Sequence, residues 1–121
     1  RVAERVFSGV ENISLCEPLP LYDFHNILSR SFAVLTDSGG IQEEGAYLGI
    51  PIFLLRDKTE RQDCLLSGNV RVIGTSRERV RDEFLSVIDD ISSLSAMQKP
   101  THIFGDGDAC EKIIKILLPF S

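Results

Sequence analysis

Short apolar runs alternate along this chain with segments in which apolar residues recur every three or four positions. The runs at 13–16, 32–36, 51–55 and 70–73 are bounded by polar or turn-forming residues. Runs of this length predict β-strands, and nearly continuous apolar strands are typical of a parallel sheet that is covered on both faces. The pattern therefore predicts four strands.

Helical spacing of apolar residues predicts five helices, which cover about 2–7, 20–30, 40–48, 76–89 and 108–118. Pro20 suits a first helical turn, Gly49 a C-terminal stop, Thr75 or Ser76 an N-cap, and Asp106 the N-cap of the last helix. A short helix or turn is expected around 92–95. The apolar residues that share one side of the second helix are Leu21, Phe24, Ile27 and Leu28. The residues expected to face inward from the fourth helix are Val80, Phe84, Val87 and Ile88.

Alternation of strands and helices at this spacing is typical of βαβ units, so the fold class is α/β. We predict a Rossmann-like open parallel sheet with helices on both faces, forming one domain over residues 1–121. The chain opens in a predicted helix with no strand before it, and four strands make a small sheet of this kind. We therefore expect the domain to be N-terminally incomplete.

The balance of charge argues against several classes of partner. The net charge is -5, from 13 Lys and Arg against 18 Asp and Glu. Sequence-independent nucleic-acid binding requires a basic face, and attachment to anionic membranes requires clustered Lys and Arg, which are scattered here. No apolar run approaches the ~18 residues of a membrane-spanning helix. We expect no nucleic-acid partner and no membrane partner.

The cysteines and histidines form no metal or redox motif. Cys16, Cys64 and Cys110 contain no C-x-x-C pair and leave an odd thiol, which favours a reducing cytoplasm. We expect Cys64 and Cys110 to be small buried hydrophobic residues. Because His25 and His102 lack neighbouring ligands, surface or capping roles are expected for them, and no metal or cofactor is predicted.

The turn after the second predicted strand is a candidate anion-binding site. There Thr36 and Asp37 are followed by Ser38, Gly39 and Gly40, and then a helix begins. Glycines let a bulky anion approach the backbone, a helix N-terminus presents unpaired N–H groups and a positive dipole end, and the serine adds a hydroxyl donor. The turn matches neither G-x-G-x-x-G nor a Walker loop. An ordinary capped helix start is the alternative.

Two further residues complete a candidate site for a nucleoside diphosphate. Glu44 lies about two helical turns beyond Ser38, where a carboxylate can accept hydrogen bonds from ribose hydroxyls while staying off the phosphates. The loop at 56–63 follows the next strand at the same edge of the sheet, and its Arg61 carries a planar fork of donors that suits a diphosphate. A solvated run of charges is the alternative for this loop.

Five blocks of sequence, in order and with compatible spacing, cover nearly the whole chain. They are L-T-D-S-G-G-I-Q-E-E at 35–44, L-G-I-P at 48–51, L-R-D with T-E-R at 55–61, V-I-G-T at 72–75 and F-G-D-G-D-A at 104–109. Together they resemble the C-terminal half of the non-hydrolysing UDP-N-acetylglucosamine 2-epimerases. Hydrolysing relatives share the G-D-G loop but differ at the D-S-G-G turn, which favours the non-hydrolysing branch.

The resemblance implies a role for each residue at the turn and the loop. Ser38 and the backbone of Gly39 and Gly40 would hold the diphosphate, and Glu44 would bind the ribose hydroxyls. Arg61 would bind UDP and stabilise it as the leaving group, which makes it the one catalytic residue expected in this chain.

The resemblance also extends to the base of the nucleotide. Phe24 falls where the family packs a side chain against uracil, and Leu19 falls where a backbone group reads the base edge. Plain core packing is the alternative for Phe24. The chain departs from the family at Gln62 and Asp63, where Pro and Glu are usual, and at Lys112, where Arg is usual.

The resemblance implies two facing Rossmann-like domains, as in the glycosyltransferase-B architecture. The implied reaction inverts C2 of UDP-N-acetylglucosamine by elimination of UDP, proton transfer and re-addition, giving UDP-N-acetylmannosamine. The family's proton-transfer carboxylates belong to the N-terminal domain, so Glu43 and Glu44 are not the acid–base pair and this chain alone is expected to be inactive. The implied partners are UDP, a UDP-N-acetylhexosamine, the N-terminal domain and a second subunit of a homodimer.

Two other functions remain open on the sequence. A UDP-sugar-dependent glycosyltransferase would use the same UDP half-site, although it requires an acceptor. A non-catalytic nucleotide-binding or receiver-like module has the same size, and Asp37 stands at the end of a predicted strand. However, no acidic pair precedes Asp37 on the first predicted strand, as a receiver would need.

Overall fold

The computed structural model describes residues 2–118, which form a three-stranded parallel sheet with helices on both faces. The strands are β1 (Val34–Thr36), β2 (Ile52–Leu54) and β3 (Val70–Val72), and they lie in the order β1-β2-β3. All three run in the same direction, so their carboxyl ends meet at one edge. The predicted α/β class and Rossmann-like parallel sheet are confirmed. The predicted domain over 1–121 extends beyond the described residues.

Seven helices are present within residues 2–118, and they are α1 (Val2–Phe7), α2 (Leu21–Ser29), α3 (Gly39–Leu48), α4 (Gln62–Leu66), α5 (Arg77–Asp89), α6 (Ser92–Met97) and α7 (Ala109–Leu117). The five helices predicted from periodicity all occur, and α6 is the expected short one. Helix α4 was not predicted, because five residues are too few to reveal a helical period. None of the helices in this part of the chain is long and apolar enough to cross a membrane.

The central strand β2 is buried on both faces. Successive side chains of a strand point to opposite faces, so Ile52 and Leu54 pack in one cluster with Cys64 of α4. Helix α3 lies on this face too, because a Cβ on Gly45 would meet the Ile52 side chain. The opposite face holds a second cluster, which α5 and α6 cover and which consists of Phe53, Ile73, Val87, Leu94 and Met97.

The apolar run at 13–16 is not a strand, so the prediction of four strands is wrong. It belongs to an irregular segment in which Ile13 and Leu15 are 39% and 50% exposed. An extended segment becomes a strand only when its backbone N–H and C=O groups pair with a neighbouring strand. In the described part of the chain, the sheet ends at β1 and no strand pairs with this run.

Three residues on the apolar sides of α2 and α5 are exposed, including Ile88, which was expected to face inward. Leu21 and Ile27 on α2 are 62% and 57% exposed, and Ile88 on α5 is 64% exposed. Only Leu28 is fully buried on α2, and only Val87 on α5. The apolar stripe in the sequence is therefore wider than the line along which each helix packs against its neighbours.

Helix α7 also departs from its prediction in two ways. Cys110 is exposed rather than buried, because α7 buries none of its residues. Asp106 is not the cap, since Asp108 occupies that position while an Asp106 carboxylate oxygen lies 3.3 Å from His102 Nδ1. Cys64, in contrast, is buried as predicted, and this burial raises the pKa of its thiol.

The predicted ends of the other helices agree with the structure to within one residue. Ser76 caps α5, with its hydroxyl accepting from the Arg79 N–H at 3.2 Å. Pro20 lies at the N-cap of α2, one position before its first turn. Gly49 ends α3 with φ +72°, in the left-handed region that disfavours side chains. A Cβ at Gly49 would also come within 2.7 Å of the Pro100 nitrogen and Cδ.

Replacing Gly49 with Ala should lower the free energy of unfolding by about 2–5 kcal/mol. The left-handed backbone costs about 1–2 kcal/mol with a side chain, and a forced overlap in a packed region costs about 1–3 kcal/mol more. Gly68→Ala is the matched control, because Gly68 has φ +78° but nothing within 4 Å of an added Cβ. Urea unfolding of both variants measures the difference. Equal losses would contradict the contact between Pro100 and Gly49.

Candidate functional site

Two loops at the carboxyl edge of the sheet form the candidate site. The first is the turn at 37–38 between β1 and α3, and the second is the loop at 55–61 between β2 and α4. Because β1 and β2 are adjacent and parallel, the two loops lie side by side. The carboxyl edge is where open parallel sheets bind their ligands.

Ser38 opens α3 without capping it through its side chain. Its backbone is extended, at φ -79° and ψ 132°, and its N–H donates to the Thr36 hydroxyl at 3.0 Å. A capping serine usually accepts a hydrogen bond from an N–H in the first helical turn. The Ser38 hydroxyl makes no such cap bond. The alternative of an ordinary capped helix start therefore lacks its defining bond.

Arg61 reaches from the second loop onto the first. A Cβ on Gly39 would lie 3.0 Å from Arg61 Nε and 3.3 Å from Nη2, so the guanidinium occupies the space that a side chain at position 39 would need. A Cβ on Gly40, in contrast, would have nothing within 4 Å. Gly39 thus makes room for Arg61, whereas Gly40 leaves open surface next to it.

The Arg61 guanidinium is bonded on one side only. Its Nη1 forms an ion pair with the Glu43 carboxylate, which lies one helical turn beyond Gly39 on the same face of α3. Its Nε is buried and finds no acceptor within residues 2–118. A buried donor left unpaired costs about 1–3 kcal/mol. Glu43 thus holds the arginine at the turn through Nη1, while the other two nitrogens, Nε and Nη2, lie closest to Gly39.

A second arginine also joins the two loops. Arg56 Nε donates to the Asp37 carbonyl oxygen at 2.7 Å, and its Nη1 donates to both carboxylate oxygens of Glu60 at 3.1 and 2.9 Å. The pKa of Glu60 is lowered, first by a backbone hydrogen bond and then by the charge of Arg56. Arg56 is thus occupied by protein acceptors, whereas Arg61 retains an unpaired donor.

Glu44 points toward α2 rather than toward Arg61. Its Oε2 lies 3.1 Å from His25 Nε2, and both side chains are about two-fifths exposed. The His25 ring lies 6.0 Å from that of Phe24, the residue predicted to face the base. Leu19 is 37% exposed just before α2. Within the described residues, no hydrogen bond or ring contact joins Leu19 to the other predicted site residues.

A cavity of about 460 Å³ opens beside Glu44. Its walls come from α2, α3 and the G-D-G loop at 104–107, and include His25, Glu43 and Tyr47. Tyr47 also packs edge-on against His102, at 5.2 Å between ring centroids. The structure therefore brings the last of the five sequence blocks next to the first.

Sequence reasoning missed two buried polar residues between the loops. Gln42 on α3 is 0% exposed and Thr59 in the second loop is 8% exposed. The Thr59 hydroxyl donates to Gln42 Oε1 at 3.1 Å. A glutamine on the buried stripe of an amphipathic helix was the available signal, because buried polar side chains need hydrogen-bond partners. No group of three or more potential metal ligands is found among residues 2–118.

Comparison with known proteins gives one consistent result. The family model for UDP-N-acetylglucosamine 2-epimerase matches residues 1–118. The UDP-N-acetylglucosamine 2-epimerase of Campylobacter jejuni is 41% identical over 110 residues, which are 91% of this chain and 29% of the relative. That of Escherichia coli (strain K12) is 36% identical over 113 residues, covering 93% and 30%.

Solved structures agree with these relatives. An S. aureus MnaA–UDP co-structure superposes with a TM-score of 0.90 at 38% identity, covering 98% of this chain and 32% of that one. A Neisseria meningitidis UDP-GlcNAc 2-epimerase bound to UDP-GlcNAc gives 0.89 at 34% identity, covering 96% and 31%. The chain spans about 30% of the length of the proteins it matches, and these neighbours have the predicted glycosyltransferase-B-like architecture.

Proposed function

This chain belongs to the UDP-N-acetylglucosamine 2-epimerase family, and on that premise we propose that it is the UDP-binding half of an enzyme that interconverts UDP-N-acetylglucosamine and UDP-N-acetylmannosamine. The observation that carries the proposal is the position of the Arg61 guanidinium against Gly39. Two of the structural neighbours are described with UDP or UDP-GlcNAc bound. The comparisons do not favour a glycosyltransferase or a receiver-like module.

The diphosphate is proposed to bind at the turn between β1 and α3. Its negative charge is favoured at the N-terminus of the ten-residue helix α3. The Ser38 hydroxyl, which makes no cap bond, can donate to it, and the open surface at Gly40 lets it approach the backbone. Arg61 supplies the positive charge, and its buried, unpaired Nε is a donor for which a ligand oxygen can compensate once the side chain adjusts. Four groups from two loops thus converge on one anion.

The ribose and the base are proposed to lie toward α2. Glu44 accepts from the ribose hydroxyls, to which its 41% exposed side chain is accessible. Phe24 then faces uracil, and Leu19 contributes a backbone group to the base edge. The contact between Phe24 and His25, and the pair between His25 and Glu44, support this order because they connect the base position to the ribose position.

The proposed reaction of the whole enzyme proceeds by elimination of UDP and its re-addition. Breaking the bond between sugar and phosphate leaves negative charge on the departing diphosphate. Donors that are already in place at that position stabilise the charge as it develops. Arg61 has this role, assisted by Ser38 and the first turn of α3.

The remaining chemistry is proposed to come from outside this chain. An N-terminal domain supplies the carboxylates that remove and return the C2 proton, and the enzyme belongs to the non-hydrolysing branch. We expect it to act as a homodimer in the cytoplasm. The three free cysteines support that compartment, because unpaired thiols persist in reducing conditions.

Arg61→Ala should weaken UDP binding by roughly ten- to a hundredfold and leave uridine binding nearly unchanged. A charge-assisted hydrogen bond to the diphosphate is worth about 1.5–3 kcal/mol, and uridine has no diphosphate. Titration calorimetry with both ligands measures the effect. Arg81→Ala is the control, because Arg81 is an exposed arginine that pairs with Asp82 on α5. Equal losses for UDP and uridine would mean that Arg61 does not meet the phosphates.

Gly40→Ala tests whether position 40 is a glycine because of the bound ligand or because of the protein fold. Position 40 lies inside α3, its φ is not positive and an added Cβ has open space. The free energy of unfolding should therefore stay equal or rise by about 0.5–1 kcal/mol. UDP binding should fall by roughly five- to a hundredfold, because the methyl group occupies surface that the diphosphate approaches. Unaltered UDP affinity would place the diphosphate elsewhere.

Glu44→Gln tests the ribose contact. It should weaken UDP by an amount consistent with about 1–3 kcal/mol, because a charged acceptor of the ribose hydroxyls is lost. Binding of 2′,3′-dideoxy-UDP, which lacks those hydroxyls, should be weak to the unsubstituted chain and change little on substitution. Any effect on the His25 pair is common to both ligands and cancels in the protein–ligand cycle. A coupling energy of zero within error would remove the ribose role from Glu44.

A further inference from the structure

A continuous line of hydrogen bonds runs between the backbones of Arg61 and Ser38. The Arg61 N–H donates to the Thr59 hydroxyl at 3.1 Å, and that hydroxyl donates to Gln42 Oε1 at 3.1 Å. Gln42 Nε2 then donates to the Ser38 carbonyl oxygen at 3.2 Å. A hydroxyl carries one donor and two acceptor positions, so Thr59 can accept and donate at once. We call these two side chains, Thr59 and Gln42, the loop bridge.

The two side chains of the loop bridge are buried, unlike those of the other contacts between the loops. Gln42 is 0% exposed and Thr59 is 8% exposed. The Arg56 contact and the pair between Glu43 and Arg61 involve side chains that are about one-third or more exposed. Water competes with exposed bonds but not with buried ones, and leaving a buried polar atom unpaired carries a large cost. The loop bridge therefore fixes the relative position of its two ends more firmly than the surface pairs do.

Both ends of the loop bridge coincide with the proposed diphosphate site. One end is the backbone of Arg61, whose guanidinium lies against Gly39, and the other is the backbone of Ser38, whose hydroxyl makes no cap bond. The sheet alone aligns β1 with β2 but does not bond residue 61 to residue 38. If Gln42 only filled space on the buried face of α3, an apolar residue would serve as well. An apolar residue would not need hydrogen-bond partners from two loops, as Gln42 does.

We propose that Gln42 and Thr59 are positioning residues, which hold the Arg61 loop and the Ser38 turn at the separation that a diphosphate requires. Neither side chain touches the ligand in this proposal, which rests on the proposed UDP site. Loss of the loop bridge weakens binding because Arg61 must then be ordered at the turn when UDP arrives. Preorganised groups bind more tightly because that ordering cost is already met.

The test compares Thr59→Val with Thr59→Ser. Valine keeps the branched shape but removes the hydroxyl, whereas serine keeps the hydroxyl. Thr59→Val should weaken UDP by about five- to fiftyfold and leave uridine within about twofold, and Thr59→Ser should bind both ligands like the unsubstituted chain. Calorimetric titrations are run below the melting temperature of every variant. If Thr59→Val weakens the binding of UDP and of uridine equally, the loop bridge only supports the fold, and the proposal is overturned.

Two further variants complete the experiment. Gln42→Met removes the loop bridge from its other side with a similar side-chain volume, so it replaces Thr59→Val if that variant does not fold. Adding Thr59→Val to Arg61→Ala should give no further loss of UDP affinity, because the loop bridge acts through Arg61. An additive loss would contradict that route.

The outcomes for the two proposals are distinct. If the unsubstituted chain binds UDP no better than Arg61→Ala does, the proposed UDP site fails, and the loop-bridge proposal fails with it. If Arg61→Ala weakens UDP while Thr59→Val and Gln42→Met do not, only the loop-bridge proposal is overturned.

Discussion

The parallel pairing of β1 with β2 is the constraint on which the site depends. Because β2 is buried on both faces, it is fixed between helices on either side, and its register with β1 fixes where both strands end. The turn before α3 and the loop before α4 must therefore lie next to each other. Across that boundary Arg61 pairs with Glu43, and the buried Thr59 hydroxyl donates to the buried Gln42 side chain. The chemistry of the edge therefore follows from the packing of the sheet.

The electrostatics of the edge favour a ligand with directed acceptors over anions in general. The chain carries a net charge of -5, and Glu43 already balances the charge of Arg61. For a simple anion, repulsion by the Glu43 carboxylate would offset most of the attraction to Arg61. In the proposed site, a diphosphate offers several oxygens to Arg61, to Ser38 and to the start of α3 together, and charge-assisted bonds of this kind add geometric selectivity to attraction.

Burial on both faces explains which parts of the fold the sequence predicts. The run that contains β2 is apolar because helices cover both of its faces, so it stands out. The runs that contain β1 and β3 also pack against these clusters, although Leu35 on β1 is 44% exposed. The run at 13–16 has the same local character but no pairing partner, and pairing is not a local property. At the site, the structure brings Arg61 against Gly39, and the roles given to these two residues from the sequence stay predictions. Gln42 was overlooked because a polar residue in a helical pattern is normally assigned to solvent, whereas here two loops supply its partners.

The two neighbouring glycines of the turn are constrained by different bodies. A side chain at position 39 would meet the Arg61 guanidinium, whereas a Cβ at position 40 would have nothing of the described residues within 4 Å beyond its own helix backbone and neighbours. Substitutions at positions 39 and 61 are therefore coupled. A descendant sequence that lost the arginine at 61 would have room for a side chain at 39. Position 40 has no such protein counterpart. In the proposed function the diphosphate constrains position 40 instead, so a side chain at that position would mark a lineage whose turn does not bind a nucleotide.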